Sequence, residues 1–512
     1  MTEIEQITIP LIGCLISPET YPNLYHAFSY IQIESIIWYL VIFILQSFAH
    51  NPLLSNDYVH EYEAVKKSKL TIEDLDPAIK KRKSIMLSIS EDDVEWHKNH
   101  KAISINGYWY DVTNFISSHP GGRIIEDYIG KEATASFYGM HCNADVILKQ
   151  RFPAAIHTSS KPYMQKNFEM NTLYWKLYQK YNELGLFTPS TWWIVKVHIL
   201  QAIIFAVLCH CCYYYPKNWL FNGIICGNFM LSGAFITHDA CHSYTATSRS
   251  INKVISWING DVIFGVSYRW WYIEHNQHHA MPNTYSEEHG KNIDPQASED
   301  IWVQADEIFG YFKAFYHPFL IPYQHIICYP MALFVGKFGI MVDCWIPQIL
   351  ERRYKHIFGL ILHWTYILTL CHLMENSWKF YFTLHTYFGI LTIQLITNHI
   401  AKPFREIEES KEMSFPKRQV EVNANFRCSR WLDWFFGGLH FHNEHHVFPR
   451  MPRYNLRLIS YDIKKYMKDF DVPYDVDWFF NLVWKSVLHL REKGKLYVEF
   501  RKNGGSLLKK VD

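Results

Sequence analysis

Two pairs of apolar runs constrain this chain more than any other feature. Residues 194–214 and 219–238 form one pair, joined by Tyr215-Pro-Lys-Asn218. Residues 356–373 and 379–399 form the other, joined by Met374-Glu-Asn-Ser-Trp378. Each run has about the 20 residues that a helix needs to cross hydrocarbon. In that medium every backbone N–H and C=O must be satisfied within the segment, so the runs are predicted as helices. Joints this short return the chain at once. The expectation is two transmembrane hairpins whose outer ends share one side of a membrane. The joints carry few charges and Lys/Arg-rich stretches flank the hairpins, which assigns those outer ends to the cytosol. The run 323–349 is apolar but holds Lys337 and Asp343, so it is predicted as an interfacial or re-entrant helix. The run 35–49 is short and edged by Glu34; a surface anchor and a span fit it equally. Its leader carries Glu3 and Glu5 instead of basic residues, unlike a signal peptide.

Three histidine clusters lie at or beyond the ends of these runs: His238-Asp-Ala-Cys-His242, His275-Asn-Gln-His278-His279 and His442-Asn-Glu-His445-His446. Residues three and four apart share a helix face, so each cluster can aim two or three ring nitrogens at one point. Eight imidazoles are too many for one tetrahedral zinc. They suit two metal ions held close together, and imidazole suits iron among other metals. A zinc-protease H-E-x-x-H pattern is absent. Lone histidines such as His363 and His385 read as structural. His399 follows Asn398 at the end of the last predicted span, and an ionisable side chain near a membrane boundary invites a functional reading. Asp239, Glu274, Asp433 and Glu444 adjoin the clusters and are expected to orient ring N–H groups.

A separate module is predicted between residues 90 and 157. It contains Gly107-Tyr-Trp-Tyr-Asp-Val-Thr-Asn-Phe115, His119-Pro-Gly-Gly122 and Phe137-Tyr-Gly-Met-His141. Proline fixes its own φ and the glycines permit close backbone approach, so His119 stands on a rigid turn. Helix-compatible stretches at Ile124–Ile129 and Glu132–Tyr138 separate it from His141. This segment resembles cytochrome b5, and the resemblance implies that His119 and His141 are the two axial ligands of haem b. Residues 1–89 read as an N-terminal extension with the short apolar run and a polar linker ending in Lys80-Lys-Arg-Lys83.

Charge narrows the partners. Lys plus Arg number 50 and Asp plus Glu 49, which gives no support to nucleic-acid binding. Aromatic residues make up 17% of the chain, and bilayer interfaces favour Trp and Tyr. Cys209, Cys211 and Cys212 sit inside an apolar run and Cys241 inside the first cluster. That fits a reduced, cytosol-facing protein better than a disulfide scaffold.

From about residue 90 to 460 the chain resembles the cytochrome b5-fused membrane fatty acyl desaturases of the front-end type. Beyond the histidines, the likeness rests on Trp270-Trp271, Asp294-Pro295, Asp433-Trp-Phe-Phe-Gly-Gly-Leu439 and Phe448-Pro-Arg-Met-Pro-Arg-Tyr-Asn-Leu456. It implies a mostly α fold: a multi-pass membrane desaturase domain over 158–512, preceded by an α+β haem domain. It also implies two non-haem irons bound by His238, His242, His275, His278, His279, His442, His445 and His446, with His399 as a ninth ligand. The expected substrate is a lipid acyl chain, as acyl-CoA or acyl-lipid, together with O2. An NADH-cytochrome b5 reductase is the expected electron source, since the chain has no G-x-G-x-x-G fingerprint. The expected site of action is the endoplasmic reticulum membrane, with haem and iron on the cytosolic face. The chain departs from the front-end pattern at His442, where those relatives usually carry Gln and sphingolipid desaturases carry His. A lipid hydroxylase with the same iron centre and a non-catalytic membrane haem carrier are the alternative readings.

Overall fold

The computed structural model describes residues 33–50, most of 101–148, and 168–505 apart from 287–290 and 297–301. The linker predicted over residues 50–90 lies outside the described residues. Four long helices form the bundle: α4 (Thr191–Tyr214), α5 (Trp219–Cys241), α10 (Tyr354–Leu373) and α11 (Ser377–His399). They pair as two hairpins with the short joints expected from the sequence. Ser190 caps α4, its side chain accepting from the Trp193 N–H, which satisfies one of the donors left over at a helix start.

A helix that is apolar all round must be buried on all sides, and α5 is: 83% of its apolar stretch lies inside the bundle. Its neighbours α4 and α10 keep apolar residues such as Ile199, Ile203, Ile361 and Leu368 on the outside. These three helices are long and apolar enough to cross a membrane. The fourth predicted span, α11, matches them in length at 23 residues but carries more polar side chains. It packs along α5, where Gly223 and Gly227 bring the two backbones together against Phe380 and Leu384.

The 323–349 run forms two helices, α8 (Gln324–Phe334) and α9 (Gly336–Leu350). With the short helical segment from His317, α8 meets α9 at a 71° bend, the broken geometry expected of a re-entrant element. Lys337 stands just past the bend and is buried. Its ammonium lies 5.8 Å from the Phe388 ring centre and 3.3 Å from the Met341 sulfur.

The N-terminal run forms helix α1 (Ile33–His50), which packs into the bundle. Ile42 joins Leu200 and Ile204 in one apolar cluster. The Asn228 side chain donates to Gln46 Oε1 at 2.8 Å, and the Trp434 indole donates to Ser47 Oγ at 2.9 Å.

The haem-type module is a hairpin with short helices. Strands β1 (Ala102–Ile105) and β2 (Tyr108–Asp111) pair antiparallel, Ile103 opposite Tyr110, and helix α2 spans Thr134–Met140. Helix α3 (Phe168–Glu183) then leads into the bundle.

One close backbone contact seats α8 against α11. A Cβ built on Gly389 would lie 2.0 Å from the Leu333 carbonyl oxygen. Gly389→Ala must push α8 away from α11, an overpacking cost of about 1–3 kcal/mol. Thermal unfolding in detergent should show a lower midpoint for Gly389→Ala than for the parent; an unchanged midpoint would mean that this contact is not made.

Candidate metal centre

Each histidine cluster is placed by a helix terminus. His238 lies in the last turn of α5 and His242 just past its end. The second cluster rides on α7 (Tyr268–Ala280), whose first turn is anchored by the Asp261 carboxylate accepting from the Tyr268 N–H at 2.7 Å. His399 is the last residue of α11. The third cluster occupies a short helix, α13 (His442–Val447). It is entered through Gly437 and Gly438, both at positive φ. A Cβ on Gly437 would strike the Phe235 ring at 2.2 Å, so only glycine lets this turn press the third cluster onto α5.

All nine histidines meet. Ligand nitrogens of His238, His242, His275, His279 and His445 lie within 4.8 Å of one another, as do those of His278, His399 and His446. His442 joins the second group, its Nε2 2.8 Å from Nε2 of His399. The remaining close pairs are His238–His445 at 3.1 Å, His275–His279 at 3.1 Å and His278–His399 at 3.2 Å, in each case between Nε2 atoms. Ligands bound at about 2.1 Å to one ion stand roughly 3.0–3.4 Å apart at octahedral or tetrahedral angles, close to these separations.

The partners of the outer ring nitrogens orient these rings. His278 Nδ1 is 2.9 Å from the Asp294 carboxylate, and His399 Nδ1 is 3.2 Å from the Val422 carbonyl. Both partners are acceptors, so each ring spends its N–H there and turns a lone pair inward. Two lone pairs then face each other across 3.2 Å in a buried site. With both N–H groups directed outward they do not hydrogen-bond to one another, an arrangement suited to binding a cation. His275 and His446 repeat the arrangement, through Gln296 Oε1 at 3.0 Å and Gln419 Oε1 at 2.9 Å. The His446 Nε2 is buried with no hydrogen-bond partner among the described residues. Burial first, and neighbouring imidazoles second, hold His275, His279, His445 and His446 well below the ordinary histidine range. Neutral imidazole is the form that binds metal.

The orienting groups differ from those expected. Of the four carboxylates chosen by adjacency, only Asp239 faces a cluster histidine, at 3.4 Å from His238 Nδ1. It is braced by Tyr244 and by Arg453 at 3.2 Å. Glu444 instead accepts from Asn425 at 2.8 Å and from Tyr474. Asp433 is paired with Arg457 at 2.6 Å and approaches His440 at 3.2 Å. Glu274 is only half-buried. Residues that share a helix with a ligand point away from it as often as toward it. The groups that do the orienting, Asp294, Gln296 and Gln419, come from other segments. Asp294 reaches His278 because strand β3 (Thr284–Ser286) pairs with β4 (Lys291–Asn292) and with β5 (Arg405–Glu406), folding the chain back beneath α7. The Asp294-Pro295 dipeptide was the one sequence signal for it.

In the N-terminal module, the His119 and His141 rings lie 6.0 Å apart between centres. His141 Nδ1 is 2.9 Å from the Phe137 carbonyl oxygen, an acceptor, so its Nε2 lone pair is free. Burial pushes His141 down to about 4, which keeps it neutral. A metal at about 2.0–2.1 Å from each of two opposed imidazole nitrogens needs ring centres roughly 6 Å apart. The pair therefore fits the six-coordinate haem of an electron carrier.

Comparisons agree with this geometry. Residues 217–478 match the family model described as fatty acid desaturase, and residues 90–182 match the cytochrome b5-like haem/steroid binding domain. The chain is 28% identical over 423 residues to a Delta(8)-fatty-acid desaturase of Borago officinalis, covering 76% of this chain and 89% of that protein. It is 27% identical over 425 residues to a Delta(6)-fatty-acid desaturase of Caenorhabditis elegans, covering 74% and 93%. It is 28% identical over 336 residues to a Delta 8-(E)-sphingolipid desaturase of Candida albicans, covering 59% and 56%. The chain belongs to the fatty acid desaturase family, as a cytochrome b5-fused member of front-end type. It is a membrane oxidoreductase acting on a lipid acyl chain with O2.

Removing an outer partner of a metal-bound histidine lowers metal affinity by about 10–100-fold. Asp294→Ala should therefore weaken iron retention by that factor. The check is iron bound after dialysis against a graded chelator series. Retention equal to the parent would mean that Asp294 does not orient His278.

Proposed function

We propose that the two histidine groups hold a pair of non-haem irons, and that the chain uses them to place a double bond in a fatty acyl chain. His238, His242, His275, His279 and His445 would hold one iron; His278, His399, His442 and His446 would hold the other. The observation that carries the reading is the 3.2 Å approach of His278 and His399 with both ring N–H groups already spent. When bound, iron with dioxygen supplies the oxidising power to take hydrogen from unactivated methylenes, which no side-chain base can do.

The chain's own residues do the rest. Asp294, Gln296, Gln419 and the Val422 carbonyl keep lone pairs aimed at the irons. Trp271 stacks on His275 with ring centres 5.5 Å apart. It begins an apolar tract that continues through Phe264, Phe388 and Leu391 between α5 and α11. This buried apolar cluster keeps water from that side of the histidines.

His119 and His141 would hold haem b, refilled one electron at a time by an NADH-cytochrome b5 reductase. Two electrons, two protons and one O2, with two hydrogens from neighbouring carbons, balance as one double bond and two waters. The chain would reside in the endoplasmic reticulum membrane with both sites facing the cytosol. The hairpin topology supports this, since the cluster-bearing ends of α5 and α11 are on one side. Helix α1 would be a further intramembrane element. The Gln46–Asn228 hydrogen bond supports that reading, because buried amides in hydrocarbon require a partner.

Purified protein should contain two irons per chain beyond haem iron, measured by elemental analysis beside the haem spectrum. His278→Ala or His445→Ala should abolish product while the protein still inserts. Gas chromatography with mass spectrometry of a host fed candidate acyl chains identifies the product. A new hydroxyl group in place of a new double bond would overturn the desaturase reading.

His442 offers a sharper test. Imidazole is a stronger iron ligand than an amide oxygen, and here it lies 2.8 Å from His399 Nε2. His442→Ala should lower iron content and activity together, and His442→Gln should keep part of both. Full iron in the Ala variant would remove His442 from the ligand set.

A further inference from the structure

We propose that the haem-binding module is seated permanently on the desaturase domain as an electron-transfer junction. In it, Arg450 and the adjacent pair Arg418–Gln419 join haem-side groups to the metal cluster. The proposal rests on the reading of the two metal sites given above, but its residues are drawn from the contact between them.

The contact is built like a core. Val112, Phe137 and Tyr138 of the module share one buried cluster with Tyr174 of α3 and with Phe415 and Phe448 of the desaturase domain. Tyr174 stacks on Phe448 with ring centres 4.8 Å apart, and its hydroxyl donates to the Val447 carbonyl at 3.1 Å. Val447 and Phe448 directly follow the third histidine cluster. Encounters between separate electron carriers use small, transient contacts. A large apolar interface, in contrast, fixes domains relative to one another. Ion pairs flank this one: Lys131 with Glu412 at 2.8 Å and Asp127 with Lys411 at 3.3 Å.

Two connections cross the interface toward the irons. The Arg450 guanidinium donates to the backbone carbonyl of His141 at 2.5 Å. Arg450 stands four residues after His446, so one side chain links the backbone of a haem-side histidine to the segment carrying the third cluster. The second connection runs through helix α12 (Phe415–Glu421). Arg418, buried, donates to the Tyr128 hydroxyl of the module at 2.7 Å. Its neighbour Gln419 reaches the other way. Gln419 accepts from His446 Nδ1 at 2.9 Å and donates to the His279 carbonyl at 2.7 Å. Two consecutive residues thus hold the haem module with one side chain and two cluster histidines with the other. Arg450, Arg418 and Gln419 are positioning residues: they would set the separation and the bonded connection between the residues that would hold haem and those that would hold iron, the groups that would supply one-electron chemistry when bound.

The test uses full-length protein loaded with haem and iron. Haem is reduced with dithionite, excess reductant is removed, and haem reoxidation is followed by stopped-flow absorbance after mixing with O2 and acyl substrate. Arg450→Met should keep the haem spectrum and iron content but slow reoxidation at least tenfold, with Arg450→Lys restoring part of the rate. Equal rates in Arg450→Met and parent would overturn the role of Arg450. A second measurement does not depend on that variant folding. Lys131→Cys with Glu412→Cys, joined by a short bismaleimide, pins the module in the observed pose. Reoxidation at the rate of the unlinked double variant supports a fixed junction. Loss of reoxidation on linking would show that the module must swing, and would overturn the proposal. Product formation by the parent fed chemical reductant tests the desaturase reading separately, so the two can fail independently.

Discussion

The centre of this molecule is organised around buried imidazoles whose nitrogens converge in two groups, an arrangement suited to binding cations. The rings of His278 and His399, bonded outward to Asp294 and the Val422 carbonyl, approach Nε2 to Nε2 at 3.2 Å, and those of His275 and His446 are bonded outward to Gln296 and Gln419. Burial holds His275 and His446 well below the ordinary histidine range, and outward acceptors orient the rings. The surrounding scaffold can be understood as the means of holding that arrangement.

Its first device is the hairpin bundle. Helix α5 brings His238 and His242 to one end of the bundle and α11 brings His399 to the same end, so three of the nine rings are delivered by helices packed against each other. Close glycine contacts along α5 and α11 make that approach possible. The second device is the layer outside the bundle. The small mixed sheet folds Asp294 under α7, Asn283 donates to the His399 carbonyl at 3.2 Å, and Arg453 ties the segment after the third cluster to Asp239 at 3.2 Å. These bonds cross-link helix ends that would otherwise be free to splay.

The electron-supplying module is bound to the same layer. Its core runs without a break into the desaturase domain, and α12 serves both sites through adjacent residues. This continuity has a structural corollary: a family likeness that ends at residue 182 includes α3, a helix whose Tyr174 and Tyr181 pack on Phe448. Module and domain meet across this helix.

Much of this protein was legible in one dimension. Helix-length apolar runs with four- and five-residue joints determine hairpins, because hydrocarbon leaves the backbone no other satisfied conformation. Three- and four-residue histidine spacing determines rings on one face. His-Pro-Gly-Gly and the histidine after it mark two rings that the fold brings 6.0 Å apart between centres. The division of nine histidines into two groups was not legible, nor were the residues that orient them. His275 and His279 go to one group while His278, on the same helix turn, goes to the other. Helical spacing tells only that rings are near, whereas the direction of each lone pair is set by an acceptor 16 to 23 residues away for His278 and His399. Adjacent carboxylates such as Glu444 looked equally suited and were claimed by Asn425 and Tyr474. A hydrogen bond depends on position and angle in space, and those are decided when strands, helix ends and glycine turns pack together.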